Sequence, residues 1–281
     1  MSVQNRTWCG ALTCALVLSL LSSHAANAQT PSPWTGVIRD EAGGGYSAVR
    51  PRGLSANGRF LVFDSDGPLV AGDTNGTYDV FVRDRQTGAL TRVSVATSGA
   101  QGNSYSTWPA ISANGRHVVF QSGASNFDPT DTNGRMDLFV RDLDTGVTSR
   151  VTVGPSGEQV CNCWPLPVGR LSADGRFVLF AANFGYAAGT QLWLRDRDAD
   201  QDGVFDEPGS VSTTGIEMGT IEGDLLVWIS SVAISNDARY VAFSAGAYDE
   251  NGTPLGNRVY FHDRALGTST RVDRPLRALG T

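Results

Sequence analysis

The residues best suited to chemistry in this 281-residue chain are carboxylates set at alternate positions in short loops. Asp198, Asp200, Asp202 and Asp206 take positions 1, 3, 5 and 9 of one such loop, with Gly203 at position 6. Oxygen donors at that spacing wrap a hard divalent cation, and the glycine allows the sharp turn, as at the start of an EF-hand-like or thrombospondin-type Ca2+ loop. Val204 would add a backbone carbonyl, and Phe205 would pack inward. Position 12 is Gly209 rather than a bidentate acid, so Glu207 or a water must complete the shell. Two shorter loops carry a thinner version: Asp73, Asn75 and Asp79, and again Asp131, Asn133 and Asp137. Each lacks a carboxylate and the terminal Glu, so a plain turn held by local Asx hydrogen bonds competes with a cation site there. The expected cofactor is Ca2+ in a structural role, pinning a loop and lowering the entropy lost on ordering it.

The elements that position these loops are repeated. Leu54-Ser55-Ala56-Asn57-Gly58-Arg59 returns from Ile111, from Leu171 and, more loosely, from Ile234, at spacings of 57, 60 and 63 residues. A fixed period of this size marks a repeat architecture. In the second repeat a short apolar segment at Pro109–Ser112 precedes the Asn-Gly turn, which predicts positive φ at both turn residues. His117–Gln121 and Asp137–Arg141 are β-branched and aromatic, and Thr148–Val153 reads as a last strand. The unit is strand–turn–strand–loop–strand–turn–strand, without helical periodicity. That predicts an all-β chain, a β-propeller of four repeated four-stranded antiparallel blades. The repeats fall at approximately 50–107, 108–166, 167–230 and 231–273. The orphan strand Val37–Ile38 precedes them, while the last repeat carries its own outer strand, Thr270–Asp273; the ring is either closed with that strand displaced, or incomplete.

The strings Ser-Ala-Asn-Gly-Arg, Asp-Thr-Asn-Gly with Val-Arg-Asp behind it, and Arg-Val-Ser-Val resemble the TolB-like, WD40-like β-propeller repeats of exported bacterial proteins. The resemblance covers roughly residues 50–273. It implies the propeller fold and leaves function open, because such propellers serve as scaffolds, ligand binders and accessory domains of enzymes.

Residues 1–28 read as a secretory signal peptide: Arg6, an apolar run from Ala11 to Leu21, and a small-residue site at Ala26-Asn27-Ala28. The run is about half of the ~20 apolar residues that span a bilayer, so the expectation is a secreted or periplasmic protein, residues 29–281, with no membrane span. That mature chain keeps 21 arginines, no lysine and 28 acidic residues, a net charge of −7. An acidic surface repels phosphates and argues against a nucleic-acid partner. Cys161 and Cys163 remain after cleavage, to pair with each other, bind a metal or stay buried as thiols.

These observations predict a non-enzymatic binding scaffold with structural Ca2+ loops, its ligand a protein, peptide or glycan. The alternatives are a glycan-active lyase or hydrolase on a propeller, or a propeller fragment that needs a second chain. Trp34, Trp108, Trp164, Trp193 and Trp228 would either form an aromatic binding surface or pack between blades, the latter expected at Trp108-Pro109 and Trp164-Pro165. His117 and His262 lie in no recognisable Ser/His/Asp motif, and His117 stands where the neighbouring repeats have Phe60 and Phe177.

Overall fold

A computed structural model of the chain describes residues 46–159, 169–184, 191–216 and 220–273. The segment 1–28, Val37–Ile38, Trp34, Trp164, Cys161 and Cys163 lie outside the described residues.

Four antiparallel sheets follow one another along the chain, each an up-and-down meander. Blade 1 comprises β1 (Ser47–Ala48), β2 (Phe60–Ser65), β3 (Asp79–Asp84) and β4 (Leu90–Arg92). Blade 2 comprises β5 (Ser106–Ile111), β6 (His117–Ser122), β7 (Asp137–Asp142) and β8 (Thr148–Arg150). Blade 3 comprises β9 (Gly169–Leu171), β10 (Phe177–Ala182), β11 (Gln191–Asp196) and β12 (Ser212–Ile216). Blade 4 differs from the expected unit. Its strands β14 (Asp224–Ile234), β15 (Tyr240–Tyr248) and β16 (Pro254–Asp263) are longer, and β13 (Thr220–Ile221) adds a fifth strand inside β14, with β17 (Thr268–Arg271) at the outer edge. Among the described residues no helix is long and apolar enough to cross a membrane.

Middle strands read as continuous apolar runs because a blade is covered on both faces. In β6 every residue of HVVFQS is buried. Alternate side chains then face opposite neighbours. Val118 and Phe120 meet Val62, Val80 and Val82 of blade 1, whereas Val119, Leu138 and Val140 meet Leu171, Val178 and Phe180 of blade 3. A third cluster joins Leu179, Leu192 and Leu194 of blade 3 to Ile234, Val241, Phe243 and Tyr260 of blade 4. Each large side chain buried in these seams contributes about 1.5–3 kcal/mol. Among the described residues no such cluster joins blade 4 to blade 1.

The repeated hexapeptide is a polar fastening inside each blade. In blade 3 the Ser172 hydroxyl accepts from the Phe177 amide at 2.9 Å and donates to Asp174 Oδ1 at 2.5 Å. Asp174 Oδ1 in turn accepts from the Arg176 amide, and the Arg176 guanidinium forks onto Asp196 with two 2.7 Å bonds. Blade 1 builds the same set from Ser55, Asn57, Arg59 and Asp84. Blade 2 builds it from Ser112, Asn114, Arg116 and Asp142, and blade 4 from Ser235, Asp237, Arg239 and Asp263. This accounts for the repeated pairs Arg83-Asp84, Arg141-Asp142 and Arg195-Asp196: the aspartate of each is held by the turn arginine of its own blade. Of their arginines, Arg141 does reach the preceding blade, donating to Ala96 O.

One expectation about the turn is corrected. Gly58, Gly115 and Gly175 have positive φ, but the residue before each does not, because its side chain serves as the turn's acceptor. In blade 4 Ala238 takes the glycine position at φ 57°. Truncating the fastening gives a measurable cost. Ser172→Ala removes both bonds of a buried hydroxyl and is expected to lower stability by about 1–2 kcal/mol in urea titration. A loss below about 0.5 kcal/mol would mean that the fastening is dispensable.

Candidate functional site

The long loop between β11 and β12 collects the largest set of carboxylates. Oxygens of Asp198, Asp200 and Asp202 all lie within 4.8 Å of one another, with Asp198 buried and the other two exposed. Backbone bonds shape the loop: Ala199 N donates to Ser210 O, Gln201 N to Asp198 O, and Asp206 N to Arg197 O. Gln201 and Asp206 both sit in the left-handed region, at φ 64° and 63°. Asp202 Oδ1 accepts from the Val204 amide at 2.8 Å, leaving its other oxygen free of that turn.

Asp206 is not brought to the three. Its Oδ2 accepts from Arg197 Nε and Nη2 at 3.0 and 2.6 Å, and Arg197, itself buried, also donates to Gly175 O. Between them the Phe205 ring stacks on His117 of blade 2 at 5.0 Å, with the Arg197 guanidinium 5.1 Å from its centroid. The inward packing expected of Phe205 therefore fastens the loop across the seam between blades 2 and 3. The donor chemistry at Asp198, Asp200 and Asp202 fits a hard cation, since three hard oxygens converge without a guanidinium bonded to them among the described residues.

The two shorter loops differ from it in electrostatics. Asp73 and Asp79 do come together, but around Arg92, whose Nη1 lies 3.4 and 3.7 Å from them, and Gln101, whose amide donates to both at 2.9 and 3.0 Å. The Ser94 hydroxyl also donates to Asp79. Asn75 turns away, donating to Gly102 O and accepting from the Thr77 amide. In blade 2 Arg150 takes the equivalent place, 3.9 Å from Asp131 and 2.9 Å from Asp128, and Thr152 donates to Asp137. Asn133 Oδ1 accepts from the Arg135 amide. Burial raises the Asp79 and Asp131 carboxyls above their usual range and pushes Asp137 up to about 7. The arginine and glutamine partners went unnoticed in the sequence, although both recur at fixed offsets, 19 and 28 residues after Asp73 and Asp131.

The tryptophans separate into two kinds. Trp193 packs in the seam between blades 2 and 3 and donates to Ala182 O. Trp108, expected between blades, is instead 44 % exposed, at φ 54°, with the Arg50 guanidinium 4.3 Å above its ring. Its amide is held by Asp64 Oδ2, which Arg50 also engages. A bulge between Thr107 and Ala110 turns the ring outward. Trp228 is likewise exposed.

These elements define an all-β, propeller-like protein, and the four repeated antiparallel sheets fit a TolB-like β-propeller. No family profile matches the chain, and no curated protein matches it. Among solved structures it is similar to TolB from Agrobacterium tumefaciens, at 18% identity and TM-score 0.44, over 78% of this chain and 62% of that one. It is also similar to the β-propeller domain of the trilobed protease from Pyrococcus furiosus, at 13% identity and TM-score 0.36, over 83% and 73% of the two chains. A third is oligogalacturonate lyase from Vibrio parahaemolyticus, at 8% identity and TM-score 0.28, over 78% and 75%. The chain thus spans under two thirds of the TolB structure's length.

Proposed function

We propose that this protein is an exported, non-enzymatic β-propeller that serves as a binding scaffold, with Ca2+ on Asp198, Asp200 and Asp202 fixing the long loop of blade 3. The observation that carries the reading is the convergence of those three carboxylates on a loop whose Phe205 is already seated on blade 2. Three clustered negative charges repel one another, and a divalent cation removes that penalty while shortening the reach of the loop. The repeated carboxylates support a scaffold from the other side: Asp84, Asp142, Asp196 and Asp263 are all spent on arginine forks that close the blades. The leader-like segment 1–28 supports the export part of this reading.

Thermal unfolding in Ca2+ and in excess EDTA tests the claim. Extracellular sites bind at about 10⁻⁴–10⁻³ M, so about 10 mM Ca2+ should add roughly 1.5–3 kcal/mol. For a domain of this size that raises the melting temperature by about 3–8 °C. The rise should vanish in Asp200→Ala and Asp202→Ala. Superimposed curves for the parent chain would refute the Ca2+ assignment.

A further inference from the structure

Two arginines at the hub of the blades stand outside the repeat. The turn arginines recur in every blade, but Arg52 has Pro109, Gly169 and Val232 at its equivalent positions, and Arg170 has Gly53, Ala110 and Ala233. Neither is required by the fastening that closes each blade.

The chain nevertheless brings them together. Arg52 adopts φ 64°, an uncommon conformation for a side chain of that size. Its carbonyl accepts from the Ile111 amide of blade 2, while its guanidinium crosses the hub, donating to Leu171 O of blade 3 at 3.4 Å and Ile234 O of blade 4 at 3.0 Å. Arg170 precedes Leu171 on β9, and among the described residues its guanidinium makes one hydrogen bond, to the neighbouring carbonyl of Gly169. Among the described residues neither guanidinium is ion-paired with a carboxylate, although the chain as a whole carries a net charge of −6. Burial, and then the Arg52 charge, lower the Arg170 pKa from its usual value. Each guanidinium has five donors in a planar fork, so most of them are without a protein partner among the described residues. Arg50 is different, since Asp64 already neutralises it.

We propose that Arg52 and Arg170 form a binding site for the carboxylate of an extended peptide entering along the blade axis. This rests on the reading of the protein as a binding scaffold and names its ligand. The fork geometry suits a carboxylate, held by paired hydrogen bonds. One guanidinium from blade 1 touches residues of blades 3 and 4, so a carboxylate bound there would be held where three blades meet. Trp108, three residues before the Ile111 whose amide donates to Arg52 O, keeps its ring partly exposed beneath Arg50 and can contact the following peptide units.

The test is calorimetric titration of the full mature chain with an acetylated glycine–serine peptide ending in glutamate, as the free acid and as its terminal and side-chain diamide. Sodium phosphate is titrated separately. The free acid should bind at least about tenfold more tightly than the diamide, and Arg170→Gln should remove that preference. Arg59→Gln, whose partner is Asp84, should keep it. Arg170→Gln breaks no bond between blades, so it should fold, and its Ca2+-dependent melting, measured alongside, reports on the scaffold reading independently. Equal affinity for acid and diamide overturns the proposal. So does a preference that survives Arg170→Gln, or binding of phosphate with no binding of the peptide.

Discussion

Replacing His117 by phenylalanine should make the protein markedly more resistant to mild acid. The ring is only 1% exposed, and neither nitrogen has a hydrogen-bond partner. It lies under Phe205, 3.7 Å from Asp142, with Arg197 and Arg116 adding positive charge nearby. Burial first, and then the Arg197 charge, lower its pKa to about 4. An unfolded chain titrates this group near 6.5 and so binds the proton more readily than the folded one. The contribution of this group is therefore complete above about pH 6.5 and lost as pH falls toward 4, by about 3 kcal/mol for a group so fully enclosed. Phenylalanine fits the site by the protein's own precedent. A Cβ on Gly175 would lie 2.2 Å from His117 Nδ1, and a Cβ on Gly115 would lie 2.6 Å from the Phe60 ring, so each turn glycine already accepts a ring of this kind. Urea titrations at pH 4, 5 and 7 should show the stability of His117→Phe relative to the parent rising as pH falls. Parallel behaviour would show that His117 is not the proton acceptor.

Asp137→Asn should act in the opposite direction. Burial pushes the Asp137 carboxyl up to about 7, the Thr152 hydroxyl opposing and the Asp131 charge adding to the rise. Here the folded state holds its proton more tightly than the unfolded one. The contribution of this carboxyl is intact below the ordinary carboxyl range and falls as pH climbs toward 7, by about 4 kcal/mol in the limit of complete burial. Asparagine removes that charge and still accepts from Thr152, so in EDTA the variant should exceed the parent at pH 8 and match it near pH 4. His117 and Asp137 sit at opposite ends of the β6–β7 pair, far enough apart for their effects to add. Their slopes oppose each other between pH 4 and 6.5, so the parent profile should be flatter than that of either variant. A parent curve steeper than both would contradict the pair of assignments.

Much of the architecture was legible because it is periodic. The hexapeptide spacing located the blades, and alternation within β6 and β7 located the seams. Register was harder to read. Asp84 follows Arg83 in sequence, yet its partner is Arg59, because Phe60 pairs with Asp84 across β2 and β3. The acidic loops were visible as composition, but Arg92 and Gln101, which decide their charge balance, come from strands and turns well downstream. Trp108 looked like filler beside its proline, and only the bulge in β5 exposes its ring. The hub was least legible of all. Arg52 meets its partners 119 and 182 residues away, and no local pattern announces a contact of that range.

The polar fastening is confined to one blade, and this bears on how such a chain can lengthen. Ser172, Asp174, Arg176 and Asp196 satisfy one another without help from blades 2 or 4. Links between successive turns run mainly backbone to backbone, from Ala56 N to Ala113 O and from Asn114 N to Ala173 O, with one side-chain bond added where Asn114 Nδ2 donates to Asp174 O. A duplicated gene segment of one period would thus arrive with its own closure and would need only apolar faces that match. Whole blades can be gained or lost as heritable units, whereas the hub arginines Arg52 and Arg170 belong to no repeated position.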